Sequence, residues 1–249
     1  MFDQFAEAYE AMIDWPKRLA NETPFYQRLF AQVGGGGSKR VLDVACGTGH
    51  HAAMFHEWGM TVEAADVSEA MITQARERFG TPVGLEWVVR GFDVPWSEEK
   101  RGVFDAVICV GNSLALAGDR AVVRTAIENM LAALRPGGVA VVQVLNVRAL
   151  PEAGVLWQKS KLVTLKGRQR VVVKGVHRVG GDGYVELLVI DPATGKMQAD
   201  TAHFLGLSAH ELKEMAQQVG AASVRFYGNY QEAAYCETVS TDLILVATR

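Results

Sequence analysis

Apolar positions along the chain follow two different periods. Phe2, Phe5, Tyr9, Met12 and Ile13 recur at helical spacing and predict an amphipathic first helix, which Trp15-Pro16 interrupts. Thr23-Pro24 has the form of an N-cap followed by a proline in the first helical position. A second helix is therefore predicted through Phe25, Leu29 and Phe30, stopping at the run Gly34-Gly35-Gly36-Gly37. From there, apolar runs and helical spacing alternate. Strands are predicted at residues 40–45, 61–66, 85–89, 104–110 and 139–145. Helices are predicted at 49–58, at 68–79 with Ser68 as N-cap, and at 119–134, ending at Arg135-Pro136-Gly137-Gly138. Strands and helices alternating at these lengths imply a doubly wound α/β fold, with a parallel sheet covered on both faces.

Beyond Leu150 the period becomes two. Segments at 162–165, 170–177, 184–190 and 198–204 alternate apolar and polar residues, separated by Gly167, by Gly180-Gly181-Asp182-Gly183 and by Asp191-Pro192-Ala193-Thr194-Gly195. Those are antiparallel strands joined by turns. Ser208 then caps a helix reaching Gly220, and strands at 222–227 and 241–247 follow. The expected organisation is a single domain over 1–249: an N-terminal helical cap (1–37), a core (38–150), an antiparallel insertion (151–206) and the end of the core (207–249).

Composition narrows the function classes. With 25 Lys and Arg against 28 Asp and Glu, the net charge of -3 offers no general attraction to nucleic acid or an anionic membrane. The basic run between Lys159 and Lys174 is interleaved with Val and Leu and reads as a solvated strand pair. Cys46, Cys109 and Cys236 are far apart and form no Cys-x-x-Cys pair. Acidic residues at 3, 7 and 10 argue against a secretory signal, so a cytoplasmic protein is expected. His50, His51 and His56 lack metal-ligand spacing, and no metal is expected.

The candidate chemistry lies in Val41-Leu42-Asp43-Val44-Ala45-Cys46-Gly47-Thr48-Gly49, a buried strand running into a glycine turn and a helix. Glycines at 47 and 49 permit unusual backbone angles and a close approach by a ligand. About twenty residues on, the next strand ends in Asp66, placed to accept hydrogen bonds from two ribose hydroxyls. This spacing suits a nucleoside, and Gly47-x-Gly49-x-x-Ala52 also satisfies a relaxed dinucleotide fingerprint. Asp43 argues against a pyrophosphate and for a ligand carrying an ammonium group. A nicotinamide-dependent oxidoreductase and a non-catalytic relative of the same fold remain the rival readings.

Asp43 to Gly49 resembles the first motif of the class I S-adenosylmethionine-dependent methyltransferases, and Ala65-Asp66-Val67-Ser68-Glu69-Ala70-Met71 their second. Phe104-Asp105-Ala106-Val107-Ile108-Cys109 and Leu134-Arg135-Pro136-Gly137-Gly138 are similar to their fourth strand and the turn before the fifth. Within that family, Val110-Gly111-Asn112-Ser113-Leu114-Ala115 and Tyr227-Gly228-Asn229-Tyr230 are similar to the glycine N-methyltransferase group. The resemblance implies a Rossmann-like seven-stranded sheet and S-adenosylmethionine as cofactor. It also implies a small-molecule acceptor, either an amine nitrogen of an amino-acid-like substrate or an oxygen. By that resemblance Gly47 and Gly49 line the methionine and ribose, with Ala45 in the same turn, and Asp43 lies near the amino acid moiety. Asp66 holds the ribose with Val67 beside the adenine, Phe92 or Asp93 closes over the ring, and Val110, Gly111 and Asn112 face the sulfonium.

The acceptor is expected between the N-terminal cap and the insertion, near Tyr9, Trp15, Asn112, Asn146 and Arg148. In the glycine N-methyltransferase group an arginine shortly after the fifth strand grips the substrate carboxylate. Asn146 stands at that place here, with Arg148 two residues on as the candidate clamp. No catalytic triad or carboxylate pair stands out, which counts against a hydrolase.

Overall fold

A computed structural model describes residues 6–34, 39–152 and 154–249. The predicted parallel sheet is present as strands β1 (Arg40–Val44), β2 (Thr61–Asp66), β3 (Leu85–Val89), β4 (Phe104–Cys109) and β5 (Leu134–Leu145). Two later strands, β10 (Ser223–Tyr227) and β11 (Asp242–Thr248), complete seven in the order β10-β11-β5-β4-β1-β2-β3. β11 runs antiparallel to both of its neighbours. Alternate residues of the central strands serve opposite faces, as the pleat requires. Leu42, Val44, Val107 and Cys109 join the side closed by α5 (Arg120–Ala133) and α6 (Ala209–Gln218). Val41, Ala106 and Ile108 join the side closed by α2 (Trp15–Gln32), α3 (His50–Glu57) and α4 (Glu69–Phe79).

The insertion is a four-stranded antiparallel sheet, β6 (Leu156–Leu165), β7 (Arg168–Val179), β8 (Asp182–Ile190) and β9 (Met197–Phe204), in sequential order. Its buried face has two roles. Val176, Val185, Ala202 and Phe204 continue the main core, whereas Val163, Val172, Leu187 and Val189 enclose Ala8 and Met12 of α1 (Ala6–Met12). Lys159 and Lys161 reach across from β6 to the carbonyls of Met12 (3.2 Å) and Ala11 (2.7 Å). Two lysines of the basic run thus satisfy the C-terminal carbonyls of α1 rather than facing water alone.

The helical starts and stops differ from the sequence pattern in three places. The chain breaks at Ile13-Asp14 rather than at Trp15-Pro16, where Asp14 caps α2 by accepting from Lys17 N–H (3.2 Å) and Pro16 occupies its first turn. No new helix begins at Thr23, because Pro24 lies inside α2. The helix continues through it as burial of Phe25, Tyr26 and Phe30 outweighs the lost backbone bond. Helix α5 ends at Ala133, and Leu134 already pairs with Phe104 of β4. Arg135-Pro136-Gly137-Gly138 forms an irregularity within β5, after which pairing resumes at Val139 with Ala106. Of the predicted glycine linker, residues 35–37 lie outside the described residues.

Ser208 and Glu211 form a complete capping box at the start of α6, each side chain accepting from the other's backbone N–H. Ser208→Ala is expected to cost about 1 kcal/mol, read as a lower urea midpoint with an unchanged slope.

Candidate functional site

A cleft of about 470 Å³ opens above the C-terminal ends of β1, β2 and β4, a volume suited to a small molecule. Its edges come from every layer. Ala45 and Gly47 belong to the first glycine turn, Asp66, Val67 and Ser68 to the second, and Gly91, Phe92 and Asp93 to the loop after β3. Gly111, Asn112 and Ser113 form the floor beyond β4. Glu10 of α1 and Val185, Ala202 and Phe204 of the insertion close the far side.

The two turns are tied together by one carboxylate. Asp66 accepts from Gly47 N–H (2.9 Å) through one oxygen and from Ser68 N–H (2.9 Å) through the other. The carbonyl of Ala65 accepts from Cys46 N–H (3.0 Å) and adds a second link. Ala45 (φ 56°) and Gly47 (φ 55°) are both left-handed, which turns the chain sharply at the strand end. A Cβ on Gly47 would meet nothing, so this glycine opens onto free space in the cleft. A Cβ on Gly49 would strike the Trp87 ring, so Gly49 sits behind the turn, where it lets α3 approach β3. The two glycines that the sequence treats alike face opposite ways.

Asp43 is 1% exposed, and its Oδ2 has no hydrogen-bond partner among the described residues. Burial, and secondarily the Asp66 carboxylate, push it well above the ordinary carboxylate range. A buried acid held by the Ala52 backbone but with one oxygen unpartnered fits a site that receives a cationic group. At the other end of the cleft Val67 is 76% exposed, presenting an apolar surface to a flat ring. Asn129 fixes the Phe92 carbonyl by donating to it (3.0 Å), and both Phe92 and Asp93 border the cleft.

Other expected residues are placed differently. Val110 is buried beneath the cleft and its carbonyl accepts from the Ser113 hydroxyl (2.9 Å). Asn112 lies in the floor, with its side-chain oxygen accepting from Leu145 N–H (2.8 Å). Asn146 is fully engaged, donating to the carbonyls of Glu237 (2.8 Å) and Ser240 (2.7 Å) and accepting from the Tyr235 hydroxyl (3.1 Å). Those bonds start a single helical turn, Val147–Ala149, that carries Arg148 outward to an exposed position 3.6 Å from Glu237. Arg148 therefore does not border the cleft. Trp15 stacks on His50 with ring centroids 3.9 Å apart and donates to Glu10 (2.8 Å), which is a packing and latching role. The side chain of Tyr9 lies outside the described residues.

A family described as a methyltransferase domain matches residues 41–138, the stretch that carries both turns and the cleft floor. Glycine N-methyltransferase of Homo sapiens is 37% identical over 187 residues, covering 64% of this chain and 62% of that protein. Glycine/sarcosine N-methyltransferase of Parasynechococcus marenigrum (strain WH8102) is 31% identical over 162 residues, covering 64% of this chain and 55% of that protein. The two turns and the cleft floor thus lie in a stretch that matches a methyltransferase domain and is similar to the glycine N-methyltransferases. The matched stretches cover less than two thirds of those relatives' own length. Solved methyltransferases share the fold from end to end. The CcbJ methyltransferase from Streptomyces caelestis has a TM-score of 0.73 at 19% identity, covering 99% of this chain and 96% of that one. A sugar N-methyltransferase from Streptoalloteichus has a TM-score of 0.74 at 22% identity, covering 100% and 92%.

One charged residue beside the cleft floor has no signal in the sequence pattern. Arg18 of α2 donates through Nε to Glu22 (2.8 Å), and Glu22 in turn accepts from the buried His51 (2.6 Å). Burial opposes the guanidinium charge, yet Glu22 holds it above its ordinary value. Its two terminal nitrogens have no hydrogen-bond partner among the described residues. They lie 3.6 and 3.9 Å from where a Gly111 Cβ would begin, an ordinary contact distance that sets the guanidinium directly beside the cleft floor. No motif marks Arg18, because only the crossing of α2 over the end of β4 brings it there.

A carboxyl whose folded pKa is raised contributes stability below its unfolded pKa and loses that contribution as pH rises through the folded value. Asp43 therefore weakens the ligand-free protein at neutral pH. Asp43→Asn is expected to raise the ligand-free melting temperature at pH 7 by an amount worth about 1 kcal/mol. That gain should shrink toward pH 4, and calorimetry with S-adenosylhomocysteine should show weaker binding.

Proposed function

We propose that this chain transfers a methyl group from S-adenosylmethionine to an amine nitrogen of a small molecule. The observation that carries this reading is the unpartnered, buried oxygen of Asp43 beside the open Gly47 turn. An acid there repels the pyrophosphate of a nicotinamide dinucleotide and suits the ammonium of a methionine tail. Arg18, with its free terminal nitrogens, suits the carboxylate of the same tail through two parallel bonds. Asp66 retains acceptor capacity for ribose hydroxyls beyond its two backbone bonds. Val67 and Phe92 suit the adenine.

The cofactor would supply a sulfonium methyl already activated for displacement. This chain's task is to hold the acceptor in line behind it and keep water out. Leu116, Val185, Ala202 and Phe204 make an apolar wall opposite Asn112 and Ser113, which favours an amine with an apolar flank. The described lining contains no histidine, and an amine reaching the cleft uncharged needs no side-chain base. Names of relatives that act on glycine or on sugars support amine transfer as the class.

Calorimetry should show binding of S-adenosylmethionine and S-adenosylhomocysteine and none of NAD or NADP; the reverse would overturn the reading. Asp66→Ala and Arg18→Met should each weaken S-adenosylhomocysteine by about 1.5–3 kcal/mol, whereas Arg148→Ala should leave it unchanged. Asp66→Ala should also lower the melting temperature, because it releases two turn amides. A screen of small amines with a labelled methyl donor identifies the acceptor.

A further inference from the structure

The floor of the cleft is a strained piece of chain. Gly111 (φ 80°) and Asn112 (φ 69°) are consecutive left-handed residues, and the second carries a side chain that pays for that conformation. Left to itself, such a segment would sample many backbone states. Gln143 of β5 prevents this. Its side-chain oxygen accepts from Gly111 N–H (2.8 Å) and from Asn112 N–H (3.3 Å), while its main-chain carbonyl also accepts from Asn112 (3.2 Å).

A glutamine amide can bind either way round, and the wrong way would aim NH2 at two backbone donors. Asp242 at the start of β11 removes the ambiguity. Its Oδ1 accepts from Gln143 Nε2 (2.7 Å), which leaves the amide oxygen to face the loop. Gln143 is itself buried. Burial pushes the Asp242 carboxyl up to about 6; Gln143 and Arg18 oppose that rise and Glu22 adds to it.

We propose that Gln143 and Asp242 are positioning residues. Asp242 orients the Gln143 amide, and that amide holds Gly111 and Asn112 in the backbone that forms the cleft floor. Neither touches the ligand. Both act through the loop, and the functional side of the inference rests on the cleft being the methyl-transfer site.

Three variants separate this role from general packing. Gln143→Met keeps the length of the side chain but loses its oxygen. Asp242→Ala removes the acceptor, and Asp242→Asn retains one. Amide hydrogen exchange at Gly111 and Asn112, with the exchange of β1 and β4 as internal reference, reports the loop directly. Gln143→Met and Asp242→Ala should speed loop exchange and weaken S-adenosylhomocysteine by about tenfold each, the loss expected from one buried hydrogen bond. Asp242→Asn should stay within about twofold of wild type, since its remaining oxygen still accepts from Gln143. Unchanged loop exchange in Gln143→Met would overturn the proposal. So would an Asp242→Asn variant as impaired as Asp242→Ala, or faster exchange spread equally over β1 and β4. If wild type shows a protected loop but binds no S-adenosylhomocysteine, the methyltransferase reading fails while the exchange arm still decides the positioning claim.

Discussion

A single carboxylate at the end of β2 sets the geometry on which the cleft depends. Asp66 accepts from the backbone of its own turn and from that of the turn after β1. Two neighbouring parallel strands thereby share one anchor at their carboxyl ends, in the crevice where doubly wound sheets bind ligands. With both turns fixed, Asp43 is sealed below them, α3 starts from Gly49, and Val67 is left standing in the opening. The Asp66 charge that orders the two turns also makes the burial of a charged Asp43 less favourable. Order and electrostatic tension at this point come from the same atoms.

The walls reach the cleft by a longer route. Helix α2 carries Arg18 to the end of β4 because Tyr26 and Phe30 bury against Phe55 of α3, and Phe25 against Tyr227 and Tyr230, so that the helix continues through Pro24. The insertion supplies Val185, Ala202 and Phe204 from one face of its sheet and grips α1 with the next residues along that same face. This wall of the cleft and the helix at its mouth therefore share one sheet as their support.

What the sequence made legible follows periodicity and local chemistry. The alternation of strands and helices, the four insertion strands, the Ser68 and Ser208 caps and the glycine turn with Asp66 all rest on residues close in the chain. Pro24 misled because local propensity was overridden by burial of three aromatic side chains on the same helix. The segment from Arg135 to Gly138 misled because a turn signature can also serve as a bulge inside a strand. Arg148 sits near the expected place in the chain, but the bonds of Asn146 to residues ninety positions away turn it outward. Arg18, Gln143 and Asp242 matter through contacts between distant segments, and no spacing in the chain announces them.

The two glycines of the first turn have a consequence for tracing descent. Gly47 faces open space where a ligand approaches, whereas Gly49 accommodates an indole ring. Folding guards both, since Gly47 is left-handed and Gly49 lies against the indole, but only at position 47 would an added side chain also enter the open space of the cleft. A descendant that abandoned its chemistry but kept its shape would retain Gly49 against Trp87 and could drift at position 47 to a residue that tolerates a left-handed backbone, such as asparagine. Drift at that one position distinguishes a silent copy from a working one better than the motif as a whole.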